Sequence, residues 1–379
     1  MFQVGDRLHH DRYEILNPLG QGGFSQTFEV DDGGTVKVLK VLSESYPKAV
    51  ALFQREFKVL SQLRHPGVPL VETDGYFMVA PTSNTAGEPI EGDAAEPCHC
   101  LIMERVPGVD LRQWLRQREN EPAVEETVLD WLVQLAEILA QIHQHHCFHR
   151  DIKPSNIMLR PDGQLVLIDF GAVREVTETF LHKQQDDVTS THLYSRGYTP
   201  MEQMQGRAVP QSDFFALGRT FVHLLTGCNP LDFSTDFETG ALLWREHAPH
   251  VSLVLAELLD RLMAPFVAKR PSDPTCLISE IVAVQSKIAN QDTDYIGCLL
   301  DGAQDVSGRL ESRSDVRAQG GHQRPASATS AEPETSTQYE GTEMPPDFLT
   351  NVSRLSSDEG AAWSGGIPQD GSLKGRHGQ

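Results

Sequence analysis

The chain of 379 residues carries 53 acidic and 32 basic side chains, which gives a formal net charge of −21. A chain this acidic is a poor partner for nucleic acid and for anionic membrane surfaces, because both carry negative charge. No apolar run reaches the roughly eighteen residues of a membrane-spanning helix, and the N-terminus lacks the apolar core of a secretory signal. We therefore expect a cytoplasmic protein with no membrane span and no nucleic-acid partner.

Six cysteines are scattered along the sequence, which is too sparse for a disulfide framework and is typical of a reducing compartment. Cys98 and Cys100 flank His99, but no matching second pair of ligands lies nearby, as a zinc site of this kind would require. We therefore interpret this cluster as the beginning of a half-buried strand.

The first region, residues 1–106, has the pattern of short strands around one helix. The segments RYEIL, TFEV and TVKVLKVL are strand-like, and Asp31–Gly34 is a strong hairpin turn between the last two. Pro47–Arg64 has helical periodicity and begins with proline, which a helix tolerates best at its first position. Two further apolar strands, GYFMVA and HCLIMER, complete this region.

A glycine-rich segment, LGQGGFSQTF, lies between the first two of these strands. Glycines there allow backbone N–H groups to approach phosphate oxygens, although taken alone such a segment is more often a structural turn. In the strand that follows, alternation puts Val38 and Lys40 on one face and Lys37 on the other. Periodicity alone does not choose which of the two lysines would meet an anion.

The second region, residues 107–289, is mostly helical in pattern. Val128–His146 places apolar side chains at three- and four-residue spacing, which predicts an amphipathic helix. Ser212–Gly227 is apolar nearly all round, which predicts a buried helix. We expect Ser212 to be its N-cap and Gly227 to end it.

Between these helices, the sequence HRDIKPSN leads into a strand, a tight turn and a second strand that ends at Asp169. Because a hairpin brings its outer ends together, Asn156 and Asp169 should become neighbours. An amide oxygen and a carboxylate are ligands that Mg²⁺ accepts when phosphates supply the others. Asp151 and Lys153 lie on the loop that enters this hairpin. The sequence therefore predicts a pair of metal ligands, Asn156 and Asp169, beside a carboxylate and a cation.

The third region, residues 290–379, is rich in Ser, Thr, Gly, Pro and acidic residues and has no sustained apolar period. Such a composition cannot bury enough apolar surface to offset its ordering entropy, so we predict a disordered tail.

The motifs together resemble those of the Hanks-type (eukaryotic-like) serine/threonine protein kinases, and runs such as IDFGAVREVT and PQSDFFALGRTFVHLLTG resemble their cyanobacterial branch. The resemblance implies an α+β, bilobal fold with a small antiparallel β lobe plus one helix (1–106) and a larger, mostly helical lobe (107–289), ahead of the tail. It also implies ATP contacts at Gly20, Gln21, Gly22, Gly23, Phe24, Ser25, Val38, Lys40, Met103, Glu104, Val106 and Asp110.

The same resemblance implies catalytic roles for four residues and metal ligation by two. Asp151 is the implied base, Lys153 the partner of the transferring phosphoryl group, and Lys40 a phosphate-contacting lysine held by Glu56. Asn156 and Asp169 are the implied ligands of Mg²⁺, with Mn²⁺ an alternative. Further positions fit supporting roles in the family: the hydroxyl of Ser195 beside the base, Asp213 beneath the catalytic loop, and an ion pair of Glu202 with Arg270.

The implied function is transfer of the ATP γ-phosphoryl group to Ser or Thr hydroxyls of proteins. Autophosphorylation at Thr191, with the phosphate paired to Arg150, is a hypothesis for its regulation. Two alternatives are a pseudokinase scaffold that binds nucleotide and a small-molecule phosphotransferase on the same fold. The negative net charge favours basic peptide partners, and the sequence leaves the oligomeric state and the identity of the substrate open.

Overall fold

A six-stranded antiparallel sheet forms the N-terminal part of the chain in the computed structural model, which describes residues 2–22, 25–44, 46–79, 97–175 and 195–290. The sheet has the order β1-β2-β3-β4-β6-β5. Its strands are β1 (Arg7–Leu8), β2 (Tyr13–Gln21), β3 (Ser25–Asp32), β4 (Thr35–Leu42), β5 (Tyr76–Val79) and β6 (Cys98–Glu104).

The predicted hairpin between β3 and β4 is present, with Asp32 paired to Thr35 across it. Gly33 and Gly34 both have positive φ, at 60° and 96°, which L-residues with a side chain rarely adopt. The Asp31 carboxylate accepts a hydrogen bond from the Gly34 amide at 3.0 Å, which closes the turn. Aspartate and glycine thus fix the register that later places the lysines of β4.

Helix α1 (Pro47–Gln62) packs against this sheet and begins with its proline at the first turn, as predicted. Its buried face is apolar, with Phe53, Val59 and Leu60, except for Glu56 in the middle. A carboxylate in that position needs a buried partner, because an isolated buried charge is costly.

The helical lobe follows, with helices linked by short strand pairs and 3₁₀ turns. Its helices are α2 (Leu111–Gln117), α3 (Glu125–Gln144), α4 (Met201–Met204), α5 (Gln211–Thr226), α6 (Leu253–Leu262) and α7 (274–290). Its strands are β7 (Val109–Asp110), β8 (Cys147–Phe148), β9 (Ile157–Leu159), β10 (Leu165–Leu167) and β11 (Arg174–Glu175).

Helix α5 is the centre of this lobe, and almost every residue of it is buried. A side chain at Gly218 would stand 2.6 Å from Met263, so glycine is required there for α6 to approach. Gly227 ends the helix with φ of 69°, as predicted. The predicted N-cap is wrong: the helix begins at Gln211 after Pro210, and the Ser212 hydroxyl instead donates to Glu202.

The α+β, two-lobed fold is therefore confirmed. The predicted tail lies outside the described residues except for residue 290, and the boundaries at 106 and 289 stay predictions. Among the described helices, none is both long and apolar enough to cross a membrane.

Candidate active site

A cavity of about 720 Å³ lies between the sheet and the helical lobe, within the usual range for small-molecule sites. Every predicted ATP or metal residue that the structure describes lines this cavity; Gly23 and Phe24 lie outside the described residues. The shared lining residues are Gly20, Gln21, Gly22, Ser25, Val38, Lys40, Met103, Glu104, Val106, Asp110, Asn156 and Asp169.

The glycine-rich segment forms the roof of the cavity, with the Gly22 amide donating to the Ser25 carbonyl at 2.7 Å. Gly20 has no positive φ, and a Cβ there would stand an ordinary 3.6 Å from the Thr27 hydroxyl. Packing therefore does not demand glycine at this position. The space that a phosphate needs beside the backbone does explain it.

The structure resolves the choice between the two lysines of β4. The Lys40 ammonium lies 2.7 Å from the Glu56 carboxylate and 2.9 Å from Asp169. Lys37 points away from the cavity and pairs with Asp32 and Glu72. Burial alone would lower the pKa of the Lys40 ammonium, but the Asp169 and Glu56 carboxylates raise it above the ordinary value, so the lysine stays charged.

Three polar side chains converge on the Asp151 carboxylate at the cavity mouth. The Lys153 ammonium donates to Oδ2 at 2.8 Å, the Asn156 amide donates to the same oxygen at 2.9 Å, and the Ser195 hydroxyl donates to Oδ1 at 2.5 Å. Lys153 also donates to the Ser195 hydroxyl at 2.9 Å. The carboxylate is thus fixed in one orientation beside a cation.

The loop that carries Asp151 is held from below by a buried carboxylate on α5. Asp213 is fully buried and accepts the backbone amides of His149 at 2.8 Å and Arg150 at 2.7 Å. His143 of α3 contacts the same carboxylate at 2.9 Å. From the other side, the buried Gln203 amide donates to the Arg150 carbonyl at 2.7 Å. The hydrophobic periodicity of the sequence did not predict that His143 and Gln203 would help to hold this loop.

The β9–β10 hairpin brings together the two predicted metal ligands, Asn156 and Asp169. In it the Ile168 amide donates to the Asn156 carbonyl at 2.9 Å. The positive charge of Lys40 lowers the pKa of the Asp169 carboxyl to about 2, so it stays ionised. The Asn156 side-chain N–H donates to Asp151, which leaves its oxygen as the acceptor. The donor set therefore fits a hard divalent cation.

No cluster of three or more His, Cys, Asp or Glu side chains suited to a metal occurs among the described residues. Two oxygen ligands cannot complete a magnesium shell alone. The arrangement therefore suits an ion that brings further ligands with it, such as phosphate oxygens.

Met103, Glu104 and Val106, which were predicted to contact ATP, lie along one wall of the cavity, and Glu104 is already engaged by other residues. The Glu104 amide donates to the Leu70 carbonyl at 2.8 Å, so its N–H is not available to a ligand. The Glu104 carboxylate also pairs with Arg160 at 2.5 Å.

Asp110, predicted to contact ATP, caps α2 by accepting the Gln113 amide at 2.9 Å and also lines the cavity. Arg150, predicted to pair with a phosphate, has a positive φ of 71° and donates to the Ala172 carbonyl at 3.3 Å. Thr191 lies outside the described residues, so its pairing with Arg150 stays a hypothesis.

The lip, defined as Ser195–Pro200, ends at an ion pair in the interior of the large lobe. The Arg270 side chain is 1% exposed and lies 2.6 Å from the Glu202 carboxylate. Although burial alone would raise the pKa of the Glu202 carboxyl, bonds from Arg270 and Ser212 hold it below the ordinary value. This pair anchors the lip to α5 and to the chain after α6.

Replacing the lip hydroxyl tests whether it orients Asp151 and Lys153. We expect Ser195→Ala to lower kcat about tenfold, because a hydrogen bond to a charged group contributes roughly 1.5–3 kcal/mol. Ser195→Thr keeps the hydroxyl and should stay close to the wild type. Steady-state phosphotransfer kinetics would measure both, and equal losses in the two variants would contradict this orienting role.

The cavity, the glycine-rich roof, the buried lysine–glutamate pair and the braced loop define a bilobal nucleotide-binding protein of the kinase type. The protein kinase domain family matches residues 13–284, and the chain belongs to this family.

Curated relatives support the cyanobacterial resemblance, which is confirmed. The chain is 34% identical over 68% of its length to "Serine/threonine-protein kinase PknA" of Nostoc sp. and covers 45% of that protein. It is 35% identical over 72% of its length to "Serine/threonine-protein kinase C" of Synechocystis sp. and covers 49% of that protein. The chain thus spans about half the length of the curated relatives it matches.

Among solved structures, the kinase domain of PknI from Mycobacterium tuberculosis has a TM-score of 0.54 and 22% identity. The match covers 75% of this chain and 100% of that chain. At this identity the likeness shows the fold alone.

Proposed function

We propose that this chain is a serine/threonine protein kinase that transfers the γ-phosphoryl group of ATP to protein hydroxyls. The observation that carries the proposal is the convergence of Lys153, Asn156 and Ser195 on the Asp151 carboxylate, beside a cavity of nucleotide size. Family membership and the names of the curated relatives support the same reaction class.

In the proposed reaction, the bond between the γ-phosphorus and the β–γ bridging oxygen breaks, and a bond to the acceptor oxygen forms. Asp151 orients the acceptor hydroxyl and takes its proton. Lys153 offsets the negative charge on the transferring group, while Lys40, held by Glu56, contacts the other phosphates. ADP leaves with the bridging oxygen.

Asn156 and Asp169 would hold Mg²⁺, and Mn²⁺ fits the same oxygen ligands. When bound, the ion neutralises phosphate charge and holds the phosphate oxygens in position. The acidic character of the whole chain makes such local cations necessary, because a protein with a net charge of −21 otherwise repels ATP.

A protein acceptor is favoured over a small molecule by the ordered lip, which is tied to α5 through Glu202 and Arg270. A serine or threonine acceptor is supported by Lys153 two residues after the base, a spacing that differs from the tyrosine kinases. We place the protein in a reducing compartment, the cytoplasm, on the basis of its free cysteines among the described residues.

The proposal is tested by incubating purified protein with γ-labelled ATP and Mg²⁺ and following label on the protein and on added Ser/Thr peptides. Label on protein with none on aminoglycoside or choline would support the protein kinase. Nucleotide binding without any transfer would favour the pseudokinase scaffold. Mapping the labelled residues also shows whether Thr191 is phosphorylated. A Thr191→Ala protein with full activity would contradict the hypothesis that phosphorylation of Thr191 activates the protein.

The two lysines of β4 provide a matched pair for this assay. We expect Lys40→Met to lose about a hundredfold in kcat/KM, because its charge meets the phosphates inside a buried site. Lys37→Met removes the same charge on the outer face and should change kcat/KM by less than about threefold. Equal losses of kcat/KM in the two variants would contradict the proposed contact between Lys40 and the phosphates.

A further inference from the structure

The β9–β10 hairpin carries a charged side chain that contacts the wall of the nucleotide cavity. Arg160 directly follows β9, and its guanidinium lies 2.5 Å from the Glu104 carboxylate at the end of β6. Glu104 lines the cavity, whereas Arg160 does not. This ion pair therefore links the helical lobe to the sheet at the cavity wall.

The turn of the hairpin fixes the backbone of Arg160. The Arg160 amide donates to the Gln164 carbonyl at 2.9 Å, and the Gly163 amide donates to the Arg160 carbonyl at 3.0 Å. The opposite end of the same hairpin brings together the proposed metal ligands Asn156 and Asp169. One rigid element thus carries the metal ligands at one end and Arg160 at the other.

The Glu104 carboxylate is held at both of its oxygens. The Arg160 guanidinium donates to Oε1, and the Leu70 amide donates to Oε2 at 3.0 Å. The Glu104 amide in turn donates to the Leu70 carbonyl at 2.8 Å. Arg160 is the one cation that pairs with Glu104 among the residues that the structure describes. Strand β6, the β9–β10 hairpin and the segment before β5 therefore meet at this carboxylate.

The next residue along the wall is held from the side of the sheet. The Arg105 guanidinium lies 2.7 Å from the Glu29 carboxylate of β3 and also donates to the Val106 carbonyl. Arg105 thus links the wall to the sheet, and Arg160 links it to the helical lobe. Loss of Arg160 would leave the carboxylate of Glu104 without its link to the hairpin.

A smaller cavity of about 310 Å³ shows how Arg160 could influence a nucleotide. Arg160 and Arg64 both line this cavity, and Glu104 is the only lining residue in the described part of the chain that it shares with the nucleotide cavity. The influence of Arg160 on the nucleotide cavity would therefore pass through Glu104. The two paired side chains are only 19% and 30% exposed, so solvent screens their attraction less than that of a fully exposed pair.

We propose that Arg160 is a positioning residue for the nucleotide, because it neutralises and orients the Glu104 carboxylate in the cavity wall. This inference rests on the proposed function, which makes ATP the ligand of the cavity. Without Arg160, Glu104 would be an unpaired negative charge beside an anionic ligand. The wall would also lose a contact with the helical lobe. Both consequences weaken ATP binding and leave the groups around Asp151 in place.

The first test measures nucleotide affinity by calorimetric titration with ATP and Mg²⁺, followed by steady-state kinetics. We expect Arg160→Met to raise the Kd and the KM for ATP about fivefold. The kcat and the KM for a peptide substrate should change by less than about twofold, a division that general loss of folded protein would not produce. Arg160→Lys keeps the positive charge and should lie between the two proteins in its affinity for ATP.

Arg64→Met is the matched control, because it removes the same charge from the same small cavity. Arg64 donates to the Leu63 carbonyl at 2.8 Å and forms no ion pair with a described carboxylate. We expect its affinity for ATP to stay within about twofold of the wild type.

A double-mutant cycle tests whether Arg160 acts through Glu104. Glu104→Gln removes the carboxylate charge, and Arg160→Met added to this variant should change the Kd for ATP by less than about twofold. A fivefold effect that persisted in the Glu104→Gln protein would overturn the proposed route. An unchanged Kd in Arg160→Met, or equal changes in Arg160→Met and Arg64→Met, would overturn the positioning role itself.

These outcomes differ from failure of the proposed function. The titration measures binding alone, so a protein that binds ATP but transfers no phosphate still reveals the effect of Arg160. A wild type that binds no ATP would end both proposals together.

Discussion

Asp151→Asn is expected to lower kcat about a thousandfold while leaving the affinity for ATP close to that of the wild type. General-base catalysis contributes roughly 10²–10⁴-fold, and an amide cannot take up the acceptor proton. Asp151 is not among the residues that line the nucleotide cavity, so ATP binding does not depend on it directly. The loss should therefore appear in kcat.

Asp151→Asn is well suited to testing whether Asp151 is the base, because the surrounding hydrogen bonds can be kept in the variant. The amide oxygen can accept from Lys153 and Asn156, which both donate to Oδ2 of Asp151. The amide N–H can donate to the Ser195 hydroxyl, which lies 2.5 Å from Oδ1. We therefore expect little loss of folding stability, and calorimetric titration with ATP would show that the site is intact.

Asp162→Asn supplies the control, since Asp162 is an exposed acid in the turn between β9 and β10. It should transfer phosphate at the wild-type rate. An Asp151→Asn protein that kept more than about a tenth of the wild-type kcat would exclude this residue as the base. A variant that lost ATP binding as well would instead indicate a structural role.

The parts of the site that could be predicted from sequence are those set by local geometry. Asn156 and Asp169 are thirteen positions apart, but strand alternation and a short turn bring them together with no knowledge of the rest of the chain. The Asp31–Gly34 turn was equally predictable, because two consecutive glycines suit its positive φ values.

Other contacts depend on packing between distant segments and leave no period in the sequence. The choice of Lys40 over Lys37 needed the position of α1, which presents Glu56 to one face of β4. Gln203 reaches the Arg150 carbonyl only because the lip folds back over the catalytic loop. A resemblance to known kinases supplied Lys40, but nothing pointed to Gln203.

The error at Ser212 has a physical cause. A serine before an apolar run favours an N-cap because its hydroxyl can accept a free backbone N–H. Here the helix begins at Gln211, two residues earlier than an N-cap at Ser212 implies, and the Ser212 hydroxyl donates to the Glu202 carboxylate at 2.8 Å. The tertiary hydrogen bond from Ser212 to Glu202 therefore outweighed the local preference of serine for the N-cap position.

That same carboxylate leads to the second large effect: Arg270→Met is expected to destabilise the protein by about 3–5 kcal/mol. Removing Arg270 leaves the half-buried Glu202 without its cation and leaves the Ala264 carbonyl without its donor at 2.9 Å. For a domain of this size we expect the Tm to fall by on the order of 10 °C. Arg245→Met, which breaks an exposed pair with Asp260, should cost at most about 1 kcal/mol.

The pH dependence separates loss of the ion pair from loss of packing. The pKa of Glu202 is lowered in the folded protein, so its pairing stabilises the fold above the ordinary value of 4.5 and is lost as the pH falls through the folded value. The stability difference between wild type and Arg270→Met should thus be largest near neutral pH and shrink below about pH 4.5. Denaturant unfolding at a series of pH values would measure it, and a difference that stayed constant down to pH 3 would assign the effect to packing of Arg270 against Phe215 rather than to charge.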